Sequence, residues 1–376
     1  MEKMNLSTFR KMFFENSCCS YNVHIFVVYF LYILIRRLSF MQYREKTDGT
    51  KSYRQNYVDG IERIIEQRQR AAQAVRDEYA KRIFEEPSRC REDLKAMLGW
   101  PLVDHADDSI PKVITETLAE EETHSVYRMQ FEVLDGLWMS GLFFKVRGDG
   151  KKPLVIVQHG GAGTPELISG VYGSTTNYND MLERVITHDV HAFAPQLLLW
   201  HEKYGVPFDR RAIDARLKRV GSSITAVEIY GIIRILDYFE AQSYTSRFGM
   251  VGLSYGGFYS LFAAAVDTRL RAAVSCSFFN TRDRIGWSDW TWLNSSEKFD
   301  DAEIACLVYP RKLWIGMGNN DNLFDYQYTV SSFERLKKLC GSVGCDWVQL
   351  LIFDGTHEFF RDDEPIRQFV GAISTD

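Results

Sequence analysis

The strongest chemical signal in the chain is a serine enclosed by glycines, in the run GLSYGG at residues 252–257. The run follows an apolar stretch that predicts a buried strand and precedes an alanine-rich stretch that predicts a helix. Ser254 is therefore expected on a tight turn, where neighbouring glycines leave room for a strained backbone. A hydroxyl held at the start of a helix in this way is a candidate nucleophile, the alternative being a plain glycine-rich turn.

A histidine and an aspartate follow later strand ends and supply the partners that a serine nucleophile needs. His357 lies in FDGTHEF, directly after the last predicted strand, so we expect it at the same edge of the sheet as Ser254. It is the predicted general base. The acid that orients it is predicted to be Asp321, which follows another strand in GMGNND, with Asp325 as the alternative.

A carbonyl group attacked by a serine develops negative charge on its oxygen, which needs backbone N–H donors already in place. One predicted donor is the amide of Tyr255, the residue after the nucleophile. The second is predicted in HGGAG at residues 159–163, after the first buried strand, where Gly160 or Gly161 can bring its backbone close to a substrate. A phosphate-binding turn is the alternative, but the P-loop lysine and the GxGxxG spacing are both missing.

Three tryptophans fall within six residues outside any regular period, at Trp287, Trp290 and Trp292. Together with Trp200 they are predicted to form an aromatic wall that binds sugar rings or acyl groups. The alternative is that they pack a loop against the core.

Composition narrows the possible partners. The net charge of −5 and the isoelectric point near 6.0 give no electrostatic reason to expect nucleic acid. The seven cysteines are scattered, which favours a reducing compartment and a cytoplasmic location. His188, His191 and His201 allow a metal site as an alternative, but no carboxylate accompanies them at a suitable spacing. We therefore expect neither metal nor cofactor, and the sequence leaves the oligomeric state open.

The elements that must position these residues alternate between strands and helices from residue 153 onward. Short apolar runs separated by amphipathic helices predict a mostly parallel central sheet covered by helices on both faces. Before it, residues 126–146 alternate in polarity and predict an antiparallel hairpin. Residues 41–125 are predicted to form a helical lead-in, and residues 126–376 the catalytic domain.

The first forty residues contain an almost wholly apolar run, VHIFVVYFLYILI, followed by two arginines. As a helix the run rises only about 20 Å, less than the roughly 30 Å of a hydrocarbon core. A single membrane anchor is one interpretation. The favoured interpretation is an over-extended gene start with Met41 as the true first residue, because the sequence changes abruptly there.

The quoted motifs, with GTHEF and YPRKLWIGMGNND, resemble those of the α/β-hydrolase superfamily, and specifically its dienelactone hydrolase and acetylxylan-esterase-like branch. Dienelactone hydrolases carry cysteine where this chain has Ser254, which favours an esterase. The resemblance implies a serine carboxylesterase that acts on short-acyl or sugar-linked small-molecule esters. A prolyl-oligopeptidase-type peptidase or amidase, and a non-catalytic binding protein on the same scaffold, remain as alternatives.

Overall fold

The computed structural model describes residues 27–34, 43, 45–100 and 109–375. At its centre, within these ranges, lies a nine-stranded sheet with the order β1-β2-β3-β5-β4-β6-β7-β8-β9. The strands β1 to β3 and the β3–β5 pair are antiparallel, and the remaining pairs are parallel. The strands are β1 (Val113–Glu120), β2 (His124–Leu134), β3 (Leu137–Val146), β4 (Lys152–Gln158), β5 (His191–Pro195), β6 (Thr245–Leu253), β7 (Leu270–Cys276), β8 (Lys312–Gly318) and β9 (Val348–Phe353).

Helices cover both faces of this sheet, as the sequence predicts. Alternate residues of β4 point to opposite faces, so Leu154 and Ile156 join one apolar core while Val155 and Val157 join the other. The first core is covered mainly by α2, α6, α7, α8 and α9, and the second by α4 and α10. The helices are α1 (Lys51–Ala80), α2 (Pro87–Leu98), α3 (Pro165–Ile168), α4 (Met181–Ile186), α5 (Arg210–Arg219), α6 (Ile224–Glu240), α7 (Tyr255–Val266), α8 (Asp301–Cys306), α9 (Tyr326–Leu339) and α10 (Glu364–Ser374).

The predicted helical lead-in over residues 41–125 is too long. The structure is helical to Leu98, but Val113–Glu120 forms β1, which pairs antiparallel with β2 at the edge of the sheet. An edge strand with one partner buries little of its surface. Every residue of β1 is exposed or only partly buried. Its sequence, VITETLAE, therefore lacks the apolar run by which the central strands are recognised.

The predictions for residues 1–40 fall largely outside the described residues. Of that segment the structure describes residues 27–34, which are helical. Among the described helices, none has the length and apolar character needed to cross a bilayer. The chain divides into two units between residues 66 and 67, and the sheet lies entirely in the second.

Strand register determines which loops meet. Gln158 at the end of β4 pairs with Gly252 of β6, and Leu253 pairs with Cys276 of β7. In the same way the ends of β7, β8 and β9 stand side by side. Because all these strands are parallel, the segments after β4, β6, β8 and β9 emerge at one edge of the sheet. These are the segments that carry the predicted glycine loop, nucleophile, acid and base.

Candidate active site

Ser254 connects β6 to α7 in a strained backbone conformation. Its φ of 59° and ψ of −118° lie in a region that residues with a side chain rarely occupy. The turn is held by its amide, which donates to the Cys276 carbonyl at 2.8 Å. Gly256 must be glycine, because a Cβ at this position would collide with the carbonyl oxygen of Gln158. The strain and the close packing fix the serine at the start of α7.

His357 is paired with Asp321, the first-choice acid. Its Nδ1 lies 2.8 Å from Asp321 Oδ2; the aspartate side chain is fully buried and that of the histidine is 14% exposed. Burial by itself would raise the pKa of Asp321, but hydrogen bonds from His357 and from the amides of Phe324 and Leu323 hold that pKa below its ordinary value. An ionised Asp321 accepts a hydrogen bond from Nδ1–H and leaves Nε2 free to take a proton.

The alternative acid has a different task. Asp325 precedes α9, and its Oδ1 accepts a hydrogen bond from the amide of Gln327 at 2.9 Å. This is the geometry of a helix N-cap. The hydrogen bond to His357 is made by Asp321, so the geometry favours Asp321 over Asp325.

Two sets of contacts bring the serine and the histidine to the same place. The end of β7 binds both segments, since Cys276 accepts from the Ser254 amide and Ser277 Oγ donates to the Glu358 carbonyl at 3.2 Å. Ring contacts at 5.7–6.0 Å between centroids also link the two, running through Tyr255, Trp287, Phe324 and His357. The Ser254 hydroxyl makes no hydrogen bond to His357 in the structure. Such bonds commonly form only when substrate is bound.

The glycine loop after β4 is ordered by two buried side chains. The amide of Gly160 donates to the Tyr178 hydroxyl at 2.9 Å, so this amide is already occupied. The imidazole of His159 lies 2.9 Å from the Gly160 carbonyl through Nδ1, while its Nε2 accepts from the Leu197 amide at 3.2 Å. Burial lowers the pKa of His159 to about 4, so the ring is neutral with its proton on Nδ1. Both side chains fix the loop rather than react.

Within the described part of the chain, the amides of Gly161 and Tyr255 donate to no backbone or side-chain acceptor. Tyr255 is the first residue of α7, where an amide has no partner within the helix. Its ring also lies against the loop, and a Cβ on Gly161 would come within 3.4 Å of it. Both amides are free donors at this edge, whereas the Gly160 amide is occupied, which favours Gly161 over Gly160 as the candidate partner of Tyr255.

A segment that the sequence analysis did not single out joins the glycine loop to the histidine loop. Tyr178 accepts from Gly160, and its neighbour Asn177 donates through Nδ2 to the His357 carbonyl at 3.0 Å. Asn179 donates to Glu358 Oε2 at 2.8 Å. The available signal was the polar turn sequence NYND, whose last two residues have positive φ, a conformation that asparagine and aspartate tolerate.

The predicted aromatic wall is not formed as a whole. Trp290 is fully buried and Trp292 is 8% exposed, and both pack on phenylalanines of the core. Trp287 is partly exposed and contacts the candidate site with its ring, which stacks on Tyr255 at 5.8 Å between centroids. Trp200 contacts Phe208 and donates through Nε1 to the Val206 carbonyl at 2.8 Å. Sequence spacing alone could not separate a core tryptophan from one facing a ligand.

Trp200 also lines an apolar cavity of about 570 Å³ beside the glycine loop. The cavity is bounded by the tip of the β2–β3 hairpin, the segment after β5, and helices α5 and α6. Its volume lies within the range of small-molecule sites. Its other lining residues are mostly apolar, among them Leu134, Leu137, Trp138, Leu197, Ile213 and Val227.

The alternative metal site finds no support in the described residues. The ring of His191 is buried and its Nδ1 accepts from the Val146 amide at 3.1 Å, while His201 Nδ1 accepts from the Lys203 amide. Burial lowers the pKa of His191 to about 4. No group of three metal-ligating side chains occurs in these ranges.

The fold resembles those of several solved esterases. A proposed acetyl xylan esterase from Bacteroides fragilis superposes with a TM-score of 0.58 at 12% identity, over 80% of this chain and 85% of that one. A glucuronoyl esterase from Solibacter usitatus gives a TM-score of 0.55 at 16% identity, over 75% and 91% of the two chains. The protein has the α/β-hydrolase fold. At these identities the likeness of this hydrolase fold establishes the architecture and not the substrate.

The sequence of this chain is also similar to a curated protein. YtaP of Bacillus subtilis (strain 168), itself a proposed hydrolase, is 30% identical in an alignment 198 positions long, which covers 46% of this chain and 62% of YtaP. The chain thus spans less than two thirds of the length of this relative. No family model matches the chain.

Proposed function

We propose that this α/β-hydrolase is a serine-dependent carboxylic-ester hydrolase that works through an acyl-enzyme. Ser254 is the nucleophile, His357 the general base and Asp321 the acid that orients it. The observation that carries the proposal is the 2.8 Å pair between His357 and the buried Asp321, at the sheet edge where a strained serine begins a helix. This combination of a base, an orienting acid and a serine on a strained turn is the pattern of nucleophilic acyl transfer.

In the proposed mechanism the Ser254 hydroxyl attacks the ester carbonyl carbon while His357 Nε2 takes its proton. The negative charge that develops on the carbonyl oxygen is bound by the amides of Tyr255 and Gly161. The intermediate then expels the alcohol, which takes the proton from His357. Water, activated by the same histidine, releases the acid and restores the serine. Asp321 stays ionised throughout and stabilises the imidazolium.

For the substrate we propose a short-acyl or sugar-linked ester. Two structural relatives are named as an acetyl xylan esterase and a glucuronoyl esterase, which supports an ester linked to a carbohydrate. The partly exposed ring of Trp287 beside Tyr255 supports it further, because aromatic rings stack on sugars.

The direct test is hydrolysis of p-nitrophenyl esters with acyl chains from acetyl to octanoyl. We expect activity on acetyl that falls with chain length and is lost in Ser254→Ala. Ser331→Ala, which changes an exposed serine on α9, is the matched control and should behave like the wild type.

Two other outcomes of these assays would support the alternative functions, a peptidase or amidase and a non-catalytic binding protein. If esters fail and aminoacyl amides are cleaved in a Ser254-dependent way, the protein is a peptidase or amidase. If neither class reacts and no covalent adduct forms with a fluorophosphonate, the scaffold binds its ligand without catalysis.

A further inference from the structure

A buried arginine on α5 lies behind the candidate nucleophile and binds two carboxylates. Arg210 donates through Nε to Asp289 Oδ2 at 2.8 Å. Its two terminal nitrogens donate to Glu228 Oε1 and Oε2 at 3.0 and 2.8 Å. Tyr259 adds a hydroxyl that contacts both Arg210 and Glu228. All four side chains are buried, and Arg210, Glu228 and Asp289 are here called the arginine hub.

Two chains of contacts lead away from the arginine hub, and they are here called its arms. One arm reaches Tyr255. Asp289 Oδ2 accepts a hydrogen bond from the Tyr255 hydroxyl at 2.7 Å, and the guanidinium carbon of Arg210 lies 5.2 Å from the centre of the tyrosine ring. The backbone of Tyr255 supplies one candidate oxyanion donor, and its ring packs on Gly161, which supplies the other. Anchoring the far end of this side chain therefore restrains both donors.

The other arm reaches the segment that supports the glycine loop. Glu228 Oε1 accepts from the Leu198 amide at 2.7 Å, and Arg210 donates to the Leu198 carbonyl at 3.0 Å. The next residue, Leu199, accepts a hydrogen bond from the Ala162 amide at 2.7 Å. The preceding residue, Leu197, donates to His159. The two ends of the glycine loop are thus attached to a segment that the arginine hub holds by both backbone groups of Leu198.

Both arms start from one guanidinium. One holds the side chain of Tyr255, and the other holds the segment that is bonded to His159 and Ala162, on either side of Gly161. We propose that Arg210, Glu228 and Asp289 are positioning residues that set the spacing between the Tyr255 and Gly161 amides, and thereby the strength with which the pair binds an oxyanion. This inference rests on the proposed function, because it needs an oxyanion at that point.

The composition of the arginine hub favours positioning over plain stabilisation. Buried ion pairs seldom stabilise a fold more than apolar residues of the same volume. Here two carboxylates hydrogen-bond to one arginine, and Asp289 Oδ1 has no hydrogen-bond partner, although the exposed Arg211 lies 4.0 Å from it through Nε. Such an arrangement is a poor way to fasten a loop, but its directional hydrogen bonds hold backbone groups at defined distances, as an oxyanion site requires.

The test compares Asp289→Asn with Tyr255→Phe, in which only the anchoring hydroxyl is lost and the ring and amide remain. For each variant, kcat and KM are measured with p-nitrophenyl acetate. The inhibition constant is measured for a trifluoromethyl ketone, whose adduct with Ser254 carries an oxyanion. We expect Asp289→Asn to lower kcat about 100-fold with KM changed by less than about 3-fold. The inhibition constant should rise by the same factor, and Tyr255→Phe should follow with about 10-fold.

The control is Asp301→Asn, which changes an equally buried aspartate bound to Arg282 Nη2 at 2.6 Å. It should lower the unfolding midpoint in urea and leave kcat and the inhibition constant unchanged. If folded Asp289→Asn and Tyr255→Phe keep wild-type values, or lose no more activity than Asp301→Asn, the positioning role is overturned while Ser254-dependent hydrolysis stands. If the wild type itself neither hydrolyses esters nor binds the ketone, the proposed function fails and the positioning role fails with it.

Discussion

Two arginines with largely buried side chains, Arg210 on α5 and Arg282 in the segment between β7 and α8, differ in what their partners contact. Arg210 binds Glu228 and Asp289, and these in turn bind Tyr255 and the backbone of Leu198, next to the candidate site. Arg282 binds Asp301, donates through Nη1 to the Trp290 carbonyl at 3.1 Å, and lies within 4.9–5.6 Å of the ring centres of core aromatic residues, namely Phe258, Phe262, Phe278 and Trp292.

The difference shows that the role of a buried ion pair depends on the groups that its members contact. Around Arg282 the aromatic rings surround the charge and the pair fastens the insertion to the core. Around Arg210 each carboxylate also accepts a second hydrogen bond, Glu228 from the Leu198 amide and Asp289 from the Tyr255 hydroxyl. The same chemistry is therefore structural in one place and, by our proposal, a positioning device in the other.

The largest effect on folding stability is expected when each arginine is removed. Arg210→Met and Arg282→Met both remove the nearest cation from buried carboxylates, which costs about 3–5 kcal/mol of folding free energy. Only Arg210→Met should also lower kcat among the folded molecules. Urea unfolding and kcat at a temperature where both variants are folded separate the two quantities. Equal loss of kcat in both variants would remove the distinction between the clusters.

A pH effect should distinguish the region around Arg210. His159, where one arm of the arginine hub ends, has its pKa lowered to about 4 by burial, with nearby Glu228 and Arg210 acting in opposite directions. Between pH 6.5 and 4, His159 is therefore protonated in the unfolded chain but remains neutral in the folded one. Stability present above pH 6.5 should fall by roughly 3 kcal/mol as the pH drops to 4.

His159→Asn tests that expectation because asparagine retains an N–H donor without titrating. Urea unfolding between pH 4 and 7 should show a smaller loss of stability for this variant than for the wild type. His191 is buried in the same way and contributes in the same pH window, so a part of the loss remains. Identical pH profiles for variant and wild type would contradict a neutral, loop-holding His159.

The smallest effect is expected at the alternative acid. Asp325→Ala removes the cap of α9 and should cost about 1 kcal/mol of stability, with kcat unchanged. Asp321→Asn should instead lower kcat by about 10⁴-fold, since it disturbs the tautomer of His357. Unfolding and ester hydrolysis measured on both variants decide the assignment. A kcat for Asp325→Ala as low as that of Asp321→Asn would exchange their roles.

The sequence was sufficient to predict candidate site residues that directly follow a strand. Ser254, Asp321, His357 and the glycine loop all follow parallel strands, and parallel strands bring their carboxyl ends to one edge. The structure narrows two open choices, because Asp325 caps a helix and the Gly160 amide is occupied by Tyr178.

The arginine hub and the burial of each tryptophan could not be predicted from the sequence, because they depend on contacts between residues far apart in the chain. Arg210 meets Glu228 and Asp289 across 18 and 79 residues, and charges at such separations pair only once helices have packed. Trp290 and Trp287 are three residues apart, yet one is buried and the other faces the site. The edge strand β1 was missed because it buries too little to carry an apolar run.

The central claim is that Ser254 is an activated nucleophile, and covalent labelling tests it most directly. The protein is treated with a fluorophosphonate, its intact mass is measured, and the modified peptide is mapped. The account predicts one adduct per chain, on Ser254, absent in Ser254→Ala and formed far more slowly in His357→Asn. Labelling at another residue, or no labelling of the folded wild type, would contradict it.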